Sequence, residues 1–258
     1  MNMAIEEAIL HAVADGDSPP TLRFYQWDPA CLSLGYNQHW TEVDVSACER
    51  LGYTWTRRPT GGKAILHIDE VTYSLIVPQS DPRIREGIVA SYRVFSGGLS
   101  RGLRKVGVEA KQATKEESKA HLQAGGGGPV CFDTPSRYEI TWDGRKLIGS
   151  AQMRRRKTIL QHGSLPLHGD LNRILAVLAF SEQELTQQAQ LLPKRATTLE
   201  QATGKIFSNE TVETKLAEGL AEELNLRFEP GALTAGEQAK AKELYAAQYG
   251  NNEWNRRV

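Results

Sequence analysis

The sequence predicts a mixed α/β fold, with largely antiparallel sheets flanked by helices. Three observations predict it. Runs rich in β-branched and aromatic residues meet at short turns such as Asp143-Gly144, which favour antiparallel pairing. Helical stretches alternate with these runs irregularly, not as a series of strand-helix-strand units. Capping patterns at Ser181 with Glu184, Thr197 with Glu200 and Thr234 with Glu237 place a run of helices in the C-terminal part.

Taken in order, Ile5, Ile9, Ala12 and Val13 stand at helical spacing within residues 3–14, and Gly16 supplies a stop. Residues 22–27 and 31–36 read as two strands joined at Asp28-Pro29, a hairpin, and a short helix follows near residues 42–51. Residues 53–57 and 64–67, continuing to 73–77, read as strands about a turn at Pro59 and Gly61-Gly62. From residue 82 to 106, Ile84, Ile88, Tyr92, Phe95, Leu99, Leu103 and Val106 step by three or four, so one face of a long helix is buried. Its other face carries Arg85, Arg93, Arg101, Arg104 and Lys105: a solvated face, or a docking surface for an acidic partner.

Residues 111–123 are polar and patternless and run into Gly125 to Gly128, a candidate mobile loop. Strands at 138–142 and 146–152 flank Asp143-Gly144, and the basic turn at Arg154 to Lys157 leads into strands at 158–161 and 164–167. Asp170 caps a helix carrying Leu171, Ile174, Leu175 and Leu178, and Val212, Leu216, Leu220 and Leu224 mark another. After a short strand at 226–228 and a Pro230-Gly231 break, a last helix ends near Tyr249. Residues 1–205 are expected to form one domain and 206–258 a small helical extension packed on it, or a continuation of one domain.

Lys+Arg and Asp+Glu are equal at 31 each, so no global charge draws the chain to nucleic acid or membrane, and recognition must be local. No apolar run approaches the ~20 residues of a membrane span, and the N-terminus lacks a signal-peptide pattern, so a cytoplasmic location is expected. Cys31, Cys48 and Cys131 are too few and too irregularly spaced for a disulfide framework or a zinc motif. Cys31 and Cys48 read as packing residues, whereas Cys131 stands at the end of the glycine stretch.

The richest polar stretch is R-R-P-T-G-G-K-A-I-L-H, residues 57–67, a glycine turn with cations at its mouth. It is not a P-loop: Arg57 and Ala64 occupy the places where that motif needs glycine and Ser or Thr, and no G-x-G-x-x-G occurs either. On these residues alone, a hairpin turn with solvated arginines is an equal reading.

That stretch, followed by T-Y-S, then C-F-D-T-P-S-R-Y-E-I, D-G-R-K-L-I-G-S-A-Q and L-Q-H-G-S-L in order, resembles the lipoyl protein ligase and octanoyltransferase family. The resemblance runs from the first helix to the final E-W-N and implies the catalytic fold of biotin and lipoate protein ligases, with an acyl tunnel. Lipoate ligases in this family use ATP and Mg²⁺ to form an acyl-adenylate. Its octanoyltransferases need no cofactor: a cysteine takes octanoate from acyl carrier protein as a thioester, and a lysine of a lipoyl domain or glycine-cleavage H protein removes it. C-F-D-T-P-S is similar to the LipM-type octanoyltransferase branch, which implies Cys131 as nucleophile, and the Asn-Asp pair of typical ligases is missing.

By the same resemblance Lys146 lies at the acyl carbonyl, where an ammonium would lower the thiol pKa and a neutral amine would accept its proton. Without the motif, Lys146 would read as an exposed lysine after a turn. Arg57, Arg58, Gly61, Gly62 and His67 are implied around the acyl-binding turn, with Gly149, Ser150, Ala151, His162 and Gly163 on the opposite wall. His162 also reads as a satisfied core histidine. No metal ligand set is implied for the transferase.

Two departures from the family stand out. The family has residues, often a strand, ahead of this first helix, which bears on one edge of the sheet. Ile68 replaces a polar residue after the histidine and argues against a ligase. The other readings are an ATP-dependent ligase with Gly61-Gly62-Lys63 on the adenylate, an amidotransfer relay from H protein, and a non-catalytic module binding acidic carriers through the basic helix and the tip at Arg154 to Lys157. A monomer is the default expectation.

Overall fold

A computed structural model describes residues 1–84, 87–114, 116, 130 and 139–258. Among them the strands are β1 (Thr21–Tyr25), β2 (Cys31–Leu34), β3 (Thr54–Arg57), β4 (Ile65–His67), β5 (Glu70–Pro78), β6 (Lys111–Gln112), β7 (Ile140–Trp142), β8 (Arg145–Arg155) and β9 (Thr158–Pro166). The helices are α1 (Asn2–Asp15), α2 (Val45–Arg50), α3 (Ile88–Lys105), α4 (Glu182–Arg195), α5 (Leu199–Thr203), α6 (Asn209–Leu224), α7 (Ala235–Leu244) and α8 (Asn252–Asn255).

The larger sheet runs β1-β5-β9-β8-β7-β6 and is antiparallel throughout. The smaller runs β3-β2-β4, with β2 parallel to β3 and antiparallel to β4. Alternation along β5 explains how the layers meet. Val71, Tyr73, Leu75 and Val77 face the core built with α3 and α6, while Ile76 faces α1 together with Leu160 of β9. On the same side as Ile76, Glu70, Thr72 and Ser74 are buried yet polar, and Thr72 reaches the space below the smaller sheet.

The turn chemistry behaves as the residues dictate. Asp143 and Gly144 both take positive φ, the geometry of a two-residue hairpin turn, and so do Arg156 and Lys157 at the next. Ser181 and Thr234 form complete capping boxes on α4 and α7. The two strand pieces expected at 158–161 and 164–167 are one strand, β9, and the helix expected after Asp170 is a 3-10 helix over Leu171–Val177.

Several expectations are corrected. The strands on either side of Asp28-Pro29 do not pair: the five residues between β1 and β2 carry the chain from one sheet to the other. The strands flanking the glycine turn are likewise separated by β2. The long helix begins only at Ile88, after Gly87 at φ 91, and Ile88 itself is exposed; Ile84 fits the spacing because it is buried from a preceding turn. Residues 226–228 form no strand. Asn225 takes a left-handed cap, Leu226 N–H returns to Ala221 O, and Leu226 and Phe228 pack on the core without a strand edge to pair with. Of the adjacent threonines it is Thr198, not Thr197, that caps α5.

The basic surfaces are partly spent inside the chain. Arg101 pairs with Glu223, and Lys105 with Glu218 and Glu222, all on α6. At the tip, Arg155 pairs with Glu7 and Arg156 with Asp15 of α1. Helices beyond residue 206 join clusters shared with the rest of the fold: α6 packs with α3 and the sheet, and α7 packs with α1. Among the described residues, no helix is long and apolar enough to cross a membrane.

Candidate functional site

A cavity of about 110 Å³ lies between the two sheets. Thr72, Gly149, Ser150, Ala151, His162 and Gly163 form its floor on the larger sheet; Ser33, Ile65, His67, Arg58, Gly62 and Lys63 form its roof. Met3, Tyr25 and Trp27 line the β1 side, and Glu139 and Lys146 the β7–β8 side. From β1 to β8 there are three strand spacings, or about 14 Å.

Two histidines are held in matching ways across this space. His67 Nδ1 lies 2.5 Å from Glu70 Oε1 and its Nε2 lies 2.8 Å from Ser33 Oγ, while the ring stacks on Trp27 at 4.4 Å. His162 Nδ1 lies 2.8 Å from Glu6 Oε2 and its Nε2 lies 2.6 Å from Thr60 Oγ1. Each carboxylate is itself anchored. Glu70 accepts from the hydroxyls of Thr72 and Ser164, and Glu6 accepts from Tyr25 OH at 2.6 Å. Both rings therefore have both nitrogens engaged, which fixes their orientation as walls.

Tyr73, beneath the floor, shares a hydrogen bond with Ser150 Oγ at 2.7 Å and accepts one from Gln161. Burial pushes its phenol up to about 12, with the Ser150 and Gln161 contacts opposing. Burial, then Glu6, raises Tyr25 well above the usual phenol range. Both phenols are therefore neutral, Tyr25 lining the cavity and Tyr73 lying beneath it.

The paired arginines diverge because neighbours along an extended chain point to opposite sides. Arg58 lines the cavity: it donates to Ser33 O and Oγ and to the carbonyls of Gly61 and Lys63, which pins the turn onto β2. Gly62, at φ 97, provides the conformation the turn requires, while exposed Gly61 does not reach the cavity. Arg57 points away. Fully buried, it donates to the carbonyls of Gly35, Tyr36, Gln38 and Asn255, and so ties α8 to β3. Solvated arginines are thus ruled out.

Lys146 is not a surface lysine. It is 1% exposed and its Nζ lies 2.8 Å from Glu139 Oε1, itself 2% exposed. The turn at Asp143-Gly144 brings the two residues together, with Thr141 opposite Lys146, and Thr197 N–H donates to Lys146 O. A pair this deeply desolvated is costly to form and more costly to break one-sidedly, because the survivor loses the opposite charge at contact distance.

The structure therefore gathers Arg58, Gly62, His67, Lys146, Gly149, Ser150, Ala151, His162 and Gly163 around one cavity, and leaves out Arg57 and Gly61. Cys131 lies outside the described residues, as does most of the stretch expected to form a mobile loop. Trp27, Ser33, Glu70, Thr72, Glu6 and Glu139 are additions that sequence reasoning missed. For Glu70, Thr72, His162 and Ser164 a signal existed: polar residues at every second position of otherwise apolar strands.

Residues 1–221 match the lipoyl protein ligase A/B catalytic domain. Over 99% of its length the chain is 46% identical to a protein of Kyrpidia tusciae named octanoyltransferase LipM, covering 94% of that protein. It is 40% identical to a protein of the same name from Clostridioides difficile, over 100% of this chain and 94% of that one. Among solved structures, a bipartite lipoate protein ligase from Thermoplasma acidophilum, studied with its E2 lipoyl domain, superposes with a TM-score of 0.82 at 25% identity, covering 99% of this chain and 90% of that one.

Proposed function

The chain belongs to the lipoyl protein ligase A/B catalytic domain family, and from that membership we propose that it is an octanoyltransferase of lipoate biosynthesis. It takes octanoate from octanoyl-acyl carrier protein and delivers it to a lysine of a lipoyl domain or glycine-cleavage H protein. The observation that carries this reading is the 46% identity, over nearly the whole chain, to a protein named as an octanoyltransferase.

Cys131 is the proposed nucleophile. Its thiolate adds to the carrier thioester carbonyl, the bond to the carrier sulfur breaks, and that sulfur leaves as a thiolate which takes up the proton Cys131 released. The acceptor amine then adds to the Cys131 thioester; a C–N bond forms, the bond to the Cys131 sulfur breaks, and the amine proton passes to the released thiolate. One thioester is exchanged for another and then for a more stable amide, so no nucleotide is needed. The cavity supports the binding half of this reading. It is lined by small residues on its floor, Gly149, Ala151 and Gly163, and spans the strands from Lys146 to Tyr25, a shape suited to an extended acyl chain. Each methylene buried there contributes about 0.8 kcal/mol. The protein acts as a monomer in this reading.

Intact mass after mixing with octanoyl-acyl carrier protein without ATP is the test, for the wild type and Cys131→Ser. A hydroxylamine-labile octanoyl adduct on the wild type alone is expected. ATP-dependent loading of a lipoyl domain by both proteins, with no adduct, would instead make this a ligase, the activity named for the archaeal structural neighbour.

A further inference from the structure

Resting on that reading, we propose that the β1 end of the cavity selects acyl chains whose outer carbons bear no hydrogen-bonding group. Polar residues impose this selection, because they are fully engaged with one another. Tyr25, Trp27, Ser33, His67, Thr72 and His162 all line the space. Trp27 ties them into one group: its ring stacks on His67 at 4.4 Å and its Nε1 donates to Thr72 Oγ1 at 3.0 Å. Two imidazoles, an indole and three hydroxyls would ordinarily suit a polar ligand, and the hydrogen-bond directions show why they do not suit one here.

Each direction follows from a carboxylate. A carboxylate only accepts, so Glu70 takes the hydrogen of His67 Nδ1 and Glu6 takes that of His162 Nδ1. Nε2 of each ring is then an acceptor, covered by the Ser33 hydroxyl at 2.8 Å and the Thr60 hydroxyl at 2.6 Å. The other donors end on the same acids or one step away. Tyr25 donates to Glu6, Thr72 donates to Glu70, and Trp27 donates to Thr72. Arg58 in turn donates to Ser33 Oγ. Among the described residues, every hydrogen these six side chains can donate therefore points at protein, and neither imidazole offers a lone pair to an occupant.

A hydroxyl or carbonyl on an outer carbon of the chain would leave water and find no donor at this end, whereas a saturated chain gives up no hydrogen bond by entering. The networks thus make a polar-lined wall behave as an apolar one. They also hold roof to floor, since Thr60 belongs to the glycine turn and His162 to β9. Ser33 and Thr60 are the residues that decide the selection. Removing either hydroxyl would uncover one Nε2 inside the cavity and present an acceptor to a chain-borne hydroxyl.

The test compares two acyl groups of nearly equal length and shape, octanoyl and ω-hydroxyheptanoyl, in which a hydroxyl stands in place of the terminal methyl. Single-turnover acylation from each carrier thioester, read by intact mass, gives a rate ratio for the wild type, Ser33→Ala, Thr60→Val and Thr60→Ser, with circular dichroism on each. The wild type should load octanoyl about 100-fold faster, the discrimination an apolar site achieves against a hydroxyl. In Ser33→Ala, which uncovers His67 Nε2, and in Thr60→Val, which uncovers His162 Nε2, the ratio should fall to about tenfold or less. Thr60→Ser keeps the hydroxyl and should keep the ratio. The two uncovering variants act on different rings, so either one decides the matter if the other does not fold. Equal loading of both chains by the wild type, an unchanged ratio in a folded uncovering variant, or a ratio in Thr60→Ser that falls as far as in Thr60→Val would each overturn the proposal. Calorimetric binding of the free acids, octanoate and ω-hydroxyheptanoate, makes the same comparison without transfer. A wild type that forms no adduct yet prefers octanoate would remove the transferase reading and leave the selection standing, whereas equal affinity for the two acids would remove the selection.

Discussion

Gly163 shows how little freedom the cavity floor has. A methyl group added there would lie 2.5 Å from Gly149 O and 2.6 Å from Tyr73 Cε1, so backbone or a buried ring must shift. Gly163→Ala is expected to cost about 1–3 kcal/mol, seen as a lower urea midpoint, and to slow acyl loading as the floor rises. An unchanged midpoint with normal loading would mean that the floor yields easily. Arg57 makes the converse point. Its fork serves four carbonyls that a lysine would not reach together, so Arg57→Lys should destabilise the protein by about 2 kcal/mol or more while sparing acylation by the molecules that remain folded. The sequence made one cationic cluster of Arg57 and Arg58. Only the local alternation of the chain, applied at that step, would have separated the arginine that faces the cavity from the one that ties down α8. The anchoring of His162 by Glu6 was beyond reach, because the partners lie 156 positions apart and meet through α1 packing on β9.

Helices and strands were legible where one element's own residues decide it, and illegible where a neighbour does. The capping boxes of α4 and α7 and the turn at Asp143-Gly144 are local chemistry, and each appeared where expected. The choice of strand partner is not local, which is why the hairpin at Asp28-Pro29 was misread: β1 finds a better edge on β5 than on β2. The seam between α3 and α6 is a second case. Gly98 and Gly102 stand four apart on α3, and a methyl on Gly219 of α6 would lie 2.2 Å from Gly102 N and 2.5 Å from Gly98 O. Two effects compete in Gly219→Ala: a gain of about 1 kcal/mol in helix propensity, and an overpacking cost of about 1–3 kcal/mol. Since the clash is backbone on backbone and no rotamer relieves it, the cost should win and the melting temperature should fall. A rise would show that the two helices slide apart freely. Arg101, on the rim of this seam, already has Glu223 as its partner, so reversing its charge should disturb the helix pair before any docking surface.

At the scale of the molecule, the buried acids set how the fold responds to alkali. Burial lifts the Cys31 thiol to about 12 and the Cys48 thiol to about 11, where free thiols titrate near 9, and lifts Tyr73 to about 12. Tyr25 and Tyr249 are raised too, by burial and then by Glu6 and Glu7 respectively. In each case the folded pKa lies above the unfolded one, so the stabilisation is complete below the unfolded value and is lost as pH rises toward the folded value. Urea midpoints should therefore hold steady from neutral pH to about 8.5 and fall progressively between about pH 9 and 12. The reading of Cys31 and Cys48 as packing residues gives the same window a chemical signature. Thiolate is the reactive form, so neither should be alkylated by iodoacetamide in the native protein at pH 8, while both should be alkylated in urea, as peptide mapping would show. Native-state labelling of either cysteine at pH 8, or a midpoint flat to pH 11, would mean that the sheets open around these residues far more readily than their burial implies.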